Sequence, residues 1–130
     1  MINLFNINNY NIDTSHFSNL LHDKVVTDFE DEFADYVGAR YACSANSASS
    51  LIFLSLMQYS PREVRIPSTM PIVVPNAITN SNHKIVFYDD VKWVGHYYRL
   101  HNNVFDSAQE VSRRMYKNLA VDNAVMIFSF

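Results

Sequence analysis

The sharpest pattern in the chain runs from Val25 to Val37. Val25, Val26, Phe29, Phe33, Tyr36 and Val37 recur at helical spacing, while Asp28, Glu30, Asp31, Glu32 and Asp35 fall mostly on the other side. That period predicts an amphipathic helix with a solvated acidic face. Gly38 follows at the place where a left-handed residue ends a helix. Residues 41–45 are short and apolar-leaning, and predict a strand. Asn46, Ser47, Ser49 and Ser50 then offer several N-caps before the run Leu-Ile-Phe-Leu-Ser-Leu-Met at 51–57. The run is apolar nearly all round, which predicts a helix buried on most sides. Pro61 closes the region. Val64, Arg65 and Ile66 predict a brief strand ended by Pro67. Residues 70–81 predict a helix entered through Pro71, with Pro75 kinking it or delaying its start.

Further on, Ile85, Val86 and Phe87 form a short buried-type strand that ends in Asp89 and Asp90. Val104 and Phe105 read as another strand tip, followed by Asp106 and a helix over 107–116. Residues 124–128, Ala-Val-Met-Ile-Phe, are a strongly apolar strand. Residues 1–24 lack periodicity and are rich in Asn, Ser and Asp, so they read as an irregular arm. Strands alternating with helices over 25–130 predict an α/β fold with a mostly parallel sheet and crossover helices. The chain stops at Ser129 and Phe130, directly after its most apolar strand, and this reads as a cut.

Composition narrows the function. The 130 residues fit a single domain, and a net charge of −3 leaves no electrostatic footprint for nucleic acid. No apolar run approaches the roughly 18 residues of a membrane span. The N-terminus lacks the basic and apolar regions of a signal peptide. The lone Cys43 cannot pair within the chain, which suits a reducing, cytoplasmic compartment. Its apolar-leaning neighbours make it a small buried strand residue rather than a nucleophile. Gly38 and Gly95 are the only glycines, so a P-loop and a glycine-rich dinucleotide fingerprint are both excluded. His16, His22, His83, His96 and His101 do not fall at metal-ligand spacing, and no metal site is expected.

Open α/β sheets bind ligands beyond the carboxyl ends of their strands. Residues 46–50 stand between a strand and a helix start, where free amides and the macrodipole favour a phosphate; serving simply as caps is the commoner outcome for such residues. Asp106 follows a strand, as a partner for a protonated ring nitrogen or as an N-cap. Ser129 sits at the end of the last strand, where pattern alone does not separate function from structure. His96, Tyr97, Tyr98 and Arg99 face a ligand or are an ordinary surface loop, the latter being the commoner outcome.

Read in order, these segments resemble the DegT/StrS-type sugar aminotransferases, pyridoxal-phosphate enzymes of fold type I. Residues 29–41, Phe-Glu-Asp-Glu-Phe-Ala-Asp-Tyr-Val-Gly-Ala-Arg-Tyr, are similar to the family's opening helix and the strand after it. Asn46-Ser47-Ala48-Ser49-Ser50-Leu51 takes the place of its Ser-Gly-Thr-Ala phosphate turn. Val64-Arg65-Ile66-Pro67-Ser68 and Val86-Phe87-Tyr88-Asp89 resemble its next strands. Asp106-Ser107-Ala108-Gln109 resembles its Asp-x-Ala-Gln/His motif, and Phe128-Ser129-Phe130 the Phe-Ser-Phe before the cofactor lysine.

The resemblance implies an incomplete aspartate-aminotransferase-type large domain that binds pyridoxal 5'-phosphate. Ser49, Ser50 and Ser129 would hold the phosphate, Asp106 the ring nitrogen, and Gln109 would lie near the ring hydroxyl. The complete protein would transfer an amino group from an amino acid to a keto-sugar, nucleotide-linked, as a homodimer. The exposed apolar strand at 124–128 is a second reason to expect self-association. Four features depart from the family. Ala48 replaces a glycine, and Pro71 replaces an aromatic that stacks on the ring. The connection from Asp89 to Asp106 is short. The Schiff-base lysine is expected a few residues beyond Phe130; Lys24, Lys84, Lys92 and Lys117 are not in its motif. No catalytic residue is therefore assigned, and the chain is expected to be inactive by itself. The alternatives are a non-catalytic binding or assembly module that keeps the fold, and a small α/β domain for another phosphate ligand.

Overall fold

The computed structural model describes Ser15 and residues 23–89, 95–119 and 121–130. Apart from Ser15, Asp23 and Lys24, the irregular arm expected over 1–24 lies outside the described residues, as do residues 90–94 of the short connection.

Helix α1 (Lys24–Val37) starts at Asp23, whose side chain accepts from the Lys24 amide, and ends at Gly38 with φ 76°. The amides of Gly38 and Ala39 both reach the Ala34 carbonyl at 2.9 Å, which satisfies a carbonyl the helix end would leave open. Only Ala34 and Val37 are buried along α1. Its aromatic ridge instead meets the chain's last residues, with Phe33 edge-on to Phe128 at 5.1 Å and to Phe130 at 5.2 Å. Helix α2 (Ala48–Met57) is capped by Ser47, in extended backbone. It buries Ile52, Ser55 and Leu56, while Leu54 and Met57 face outward. Ala48, Leu51 and Phe53 are half-buried against the core, so most of the helix surface is covered, as expected.

Strand β1 (Glu63–Pro67), helix α3 (Val73–Asn80) and strand β2 (Lys84–Tyr88) form a strand-helix-strand unit. β1 and β2 pair in parallel from Glu63↔Lys84 to Pro67↔Tyr88. Pro75 delays α3 as its ring requires: the helix begins at Val73, so the missing N–H falls in the first turn, where no intrahelical acceptor exists. A second sheet has the order β3-β4-β5, from β3 (Tyr98–His101), β4 (Val104–Ser107) and β5 (Val125–Phe128). β3 and β4 pair antiparallel around Asn102 and Asn103; β4 and β5 pair in parallel. The short helix α4 (Met115–Leu119) links β4 to β5.

The molecule is thus a mixed α/β fold with two short sheets, and three expectations need correction. Residues 41–45 run without a ladder partner and are not a strand; Ser44 instead bonds the Glu30 carboxylate through its amide at 2.6 Å and its hydroxyl at 2.7 Å. Cys43 is consequently exposed, not a buried strand residue. The helix over 107–116 is replaced by turns. There Asp106 Oδ1 accepts from the Ala108 amide and the Ser107 hydroxyl donates to the Glu110 carbonyl, local bonds that compete with a helix. Arg114 then takes φ 61°, and only five residues of helix follow.

One core joins the strands of both sheets to α2 and α3. Ile52 and Leu56 of α2, Val64 and Ile66 of β1, Ile78 of α3, Val104 of β4 and Ile127 of β5 are each 1% exposed or less. Burial on this scale contributes about 1.5–3 kcal/mol per side chain. It clamps the start of α2 beside the middle of β4, and this placement creates the site.

Candidate active site

Asp106 is the third residue of β4 and only 3% exposed. It was expected just past a strand tip, but the strand runs on through Ser107 because both its edges are paired: Asp106 stands opposite Tyr98 of β3 and Ile127 of β5. Its Oδ2 accepts a hydrogen bond from the Tyr98 hydroxyl, and its Oδ1 accepts from the Ala108 amide at 2.9 Å. Burial, followed by the neighbouring Asp106 carboxylate, pushes the Tyr98 phenol far above its ordinary range, so it remains a donor.

A cavity of about 70 Å³ lies against this carboxylate. Ser49 and Ala48 from the first turn of α2, Pro71, and Tyr98, Asp106 and Gln109 are among the residues that line it. The structure therefore brings Ser49, Asp106 and Gln109 together. Ser50 does not line this cavity: its amide donates to the Ser47 hydroxyl at 3.2 Å, and the two hydroxyls lie 3.0 Å apart, so Ser50 completes the helix cap. Ser129 lines a different and larger cavity of about 740 Å³ between α1, residues 39–47 and β5. Ala48 borders both spaces, so the start of α2 separates them. Among the described residues, no lysine lines either cavity.

Tyr98 and His96 are the residues that sequence reasoning undervalued. Both line the small cavity. His96 sits 3.7 Å from the Glu110 carboxylate, which also accepts from the Tyr97 amide at 3.0 Å. The available signal was the polar-aromatic run at 96–99, which reads as a loop until β3 pairs with β4.

Residues 7–94 match the DegT/DnrJ/EryC1/StrS aminotransferase family. The chain belongs to this family. No curated protein and no solved structure matches it. The matched span carries α1, α2, β1, α3 and β2, and hence Ser49 and Ser50; Asp106, Gln109 and Ser129 lie beyond it. Among the described residues, no helix is long and apolar enough to cross a membrane.

This family is generally pyridoxal-phosphate dependent, which makes the fit of that cofactor a question of both chemistry and space. The donors suit it: a buried carboxylate for a protonated ring nitrogen, and a helix start for a phosphate. The space does not. Pockets for cofactor-sized ligands run to roughly 300–1,000 Å³, against about 70 Å³ beside Asp106. The oxygen facing Tyr98 is already bonded.

Proposed function

We propose that the chain forms the cofactor-holding part of an aminotransferase that acts on a keto-sugar, nucleotide-linked, with an amino acid as donor. The observation that carries this reading is the meeting of Ser49, Asp106 and Gln109 around one cavity in a chain of this family. Each residue type suits its part. The first turn of α2 presents amide hydrogens and the Ser49 hydroxyl to a phosphate. Asp106 offers a buried acceptor to a ring nitrogen, and Gln109, exposed at the rim, can reach a ring substituent. Ser50 and Ser129 join the phosphate group only if the start of α2 and the end of β5 draw together. Pyridoxal phosphate, when bound, supplies the carbanion chemistry, and the protein supplies the anchors.

With no lysine among the described residues that line either cavity, the 130 residues alone are proposed to have no turnover. The single, exposed Cys43 thiol suits a reducing, cytoplasmic setting. A second reading, a non-catalytic module that keeps the fold, is favoured by the small cavity and by Pro71 in its wall.

Titrating the chain with pyridoxal phosphate and, separately, with nucleotides decides between them. The aminotransferase reading expects pyridoxal phosphate to raise the thermal midpoint, whatever nucleotides do. Asp106→Asn should weaken that binding by about tenfold or more, the scale of a charge-assisted hydrogen bond. Protection by nucleotides but not by pyridoxal phosphate would overturn the reading.

A further inference from the structure

The poor fit of cofactor to cavity points to a specific residue. We propose that Tyr98 is a built-in occupant of the cofactor's ring position, holding the Asp106 carboxylate until a ligand with a competing donor displaces it. The inference rests on the reading of Asp106 as the ring partner. It goes further by naming the group that controls access to the site.

The arrangement follows from strand register. Tyr98 stands directly opposite Asp106 in the β3–β4 ladder, so the two side chains emerge on the same face of the sheet. A phenol in that position reaches the neighbouring carboxylate without help from any loop. Its hydroxyl donates to Oδ2, the Ala108 amide occupies Oδ1, and both residues line the small cavity. A phenol is a planar six-membered ring with a donor at one end. It offers Asp106 what a protonated pyridine would offer: one polar hydrogen on an aromatic edge. Tyr98 is half-buried at the edge of the core and is the less enclosed of the two, whereas Asp106 is held inside β4 with neighbours on both edges.

Such a contact acts as a selector. A ligand gains the site only if its own donor to Asp106 repays the hydrogen bond that Tyr98 surrenders. A phosphate ester without such a donor gains nothing from Asp106 and meets Tyr98 as a wall. The apparent affinity of a competing ligand falls by the fraction of time that the site stands open.

The test titrates pyridoxal phosphate and phenyl phosphate against the wild-type chain, Tyr98→Phe, Tyr98→Leu, Asp106→Asn and the double variant Tyr98→Phe/Asp106→Asn, following thermal midpoint and ligand absorbance. Tyr98→Phe keeps the ring and removes only the competing hydroxyl. It should bind pyridoxal phosphate about tenfold more tightly than wild type and leave phenyl phosphate unchanged. On the Asp106→Asn background the Tyr98→Phe gain should disappear. Equal or weaker binding by Tyr98→Phe, with wild type still binding, overturns the inference and leaves the functional reading intact. Weaker binding by Tyr98→Leu with unchanged binding by Tyr98→Phe also overturns it, because Tyr98 would then stack on the ligand instead of excluding it. If no folded variant binds pyridoxal phosphate, the functional reading itself fails, and this inference with it.

Discussion

At Gly38 two constraints meet in one residue. Its backbone takes φ 76°, and a Cβ placed there would lie 2.8 Å from Cβ of Lys117 in α4. The first constraint was readable in the sequence, because a glycine after a helical period marks a left-handed cap. The second was not, since Lys117 lies far along the chain. Gly38→Ala should therefore destabilise the chain by at least about 1–2 kcal/mol from the backbone alone. The clash with Lys117 adds to that, and urea unfolding with an unchanged slope would measure the total. A loss no larger than this backbone cost would mean that α4 moves aside freely. Cys43 and Asp106 teach the opposite lesson. The local surroundings of Cys43 are apolar, yet it is exposed because residues 41–45 find no strand to pair with. Asp106 is polar, yet it is buried because β3 and β5 flank it.

Among the elements, β3 holds a residue that ties the two sheets together. His101, at the end of β3, is 5% exposed. Its ring lies 4.0 Å from Tyr59, which follows α2, and 6.0 Å from His83, which precedes β2. His83 is itself fully engaged, accepting from the Arg62 amide and bonding the Leu56 carbonyl. Burial first, then the charges of Arg62, His83 and Arg99, lower the His101 pKa below its ordinary 6.5. The folded state consequently binds fewer protons than the unfolded one between the lowered value and 6.5. This contribution to stability is complete above about pH 6.5 and is lost progressively as the pH falls below it. The thermal midpoint should drop on acidification from pH 7, and His101→Phe should flatten that slope while keeping a ring against Tyr59. An identical pH profile in the variant would assign the slope to other groups. This seam was not legible in the sequence, where neither His101 nor β3 had any periodic signal. The helices α1, α2 and α3 were legible, through period, caps and proline position.

For the whole molecule, the main consequence is an unfinished surface. β5 pairs only with β4, so its other edge is open among the described residues. Around it stand Phe130 at 83% exposure and Tyr41 at 75%, with Phe29 and Val125 also outward. Open strand edges and contiguous apolar surface favour association. We expect the chain to self-associate at micromolar concentration, and Val125→Lys to shift it toward monomer in sedimentation velocity. A monomer at every concentration would remove the proposed homodimer from this face.

What the sequence by itself determined is local. Three helices, the caps at Ser47 and Gly38, the delayed start at Pro75 and the family resemblance all follow from residues close together in the chain, because period and capping depend on neighbours within a turn or two. Tertiary structure alone decided what depends on pairing: that 41–45 is not a strand, that β3 runs antiparallel to β4, and that Tyr98 rests on Asp106. Strand partners are chosen across long stretches of chain by the core they share, and no short pattern records that choice. The same distinction separates Ser49 from Ser129: both were plausible from pattern, but only Ser49 stands beside Asp106, because the core holds the first turn of α2 against β4.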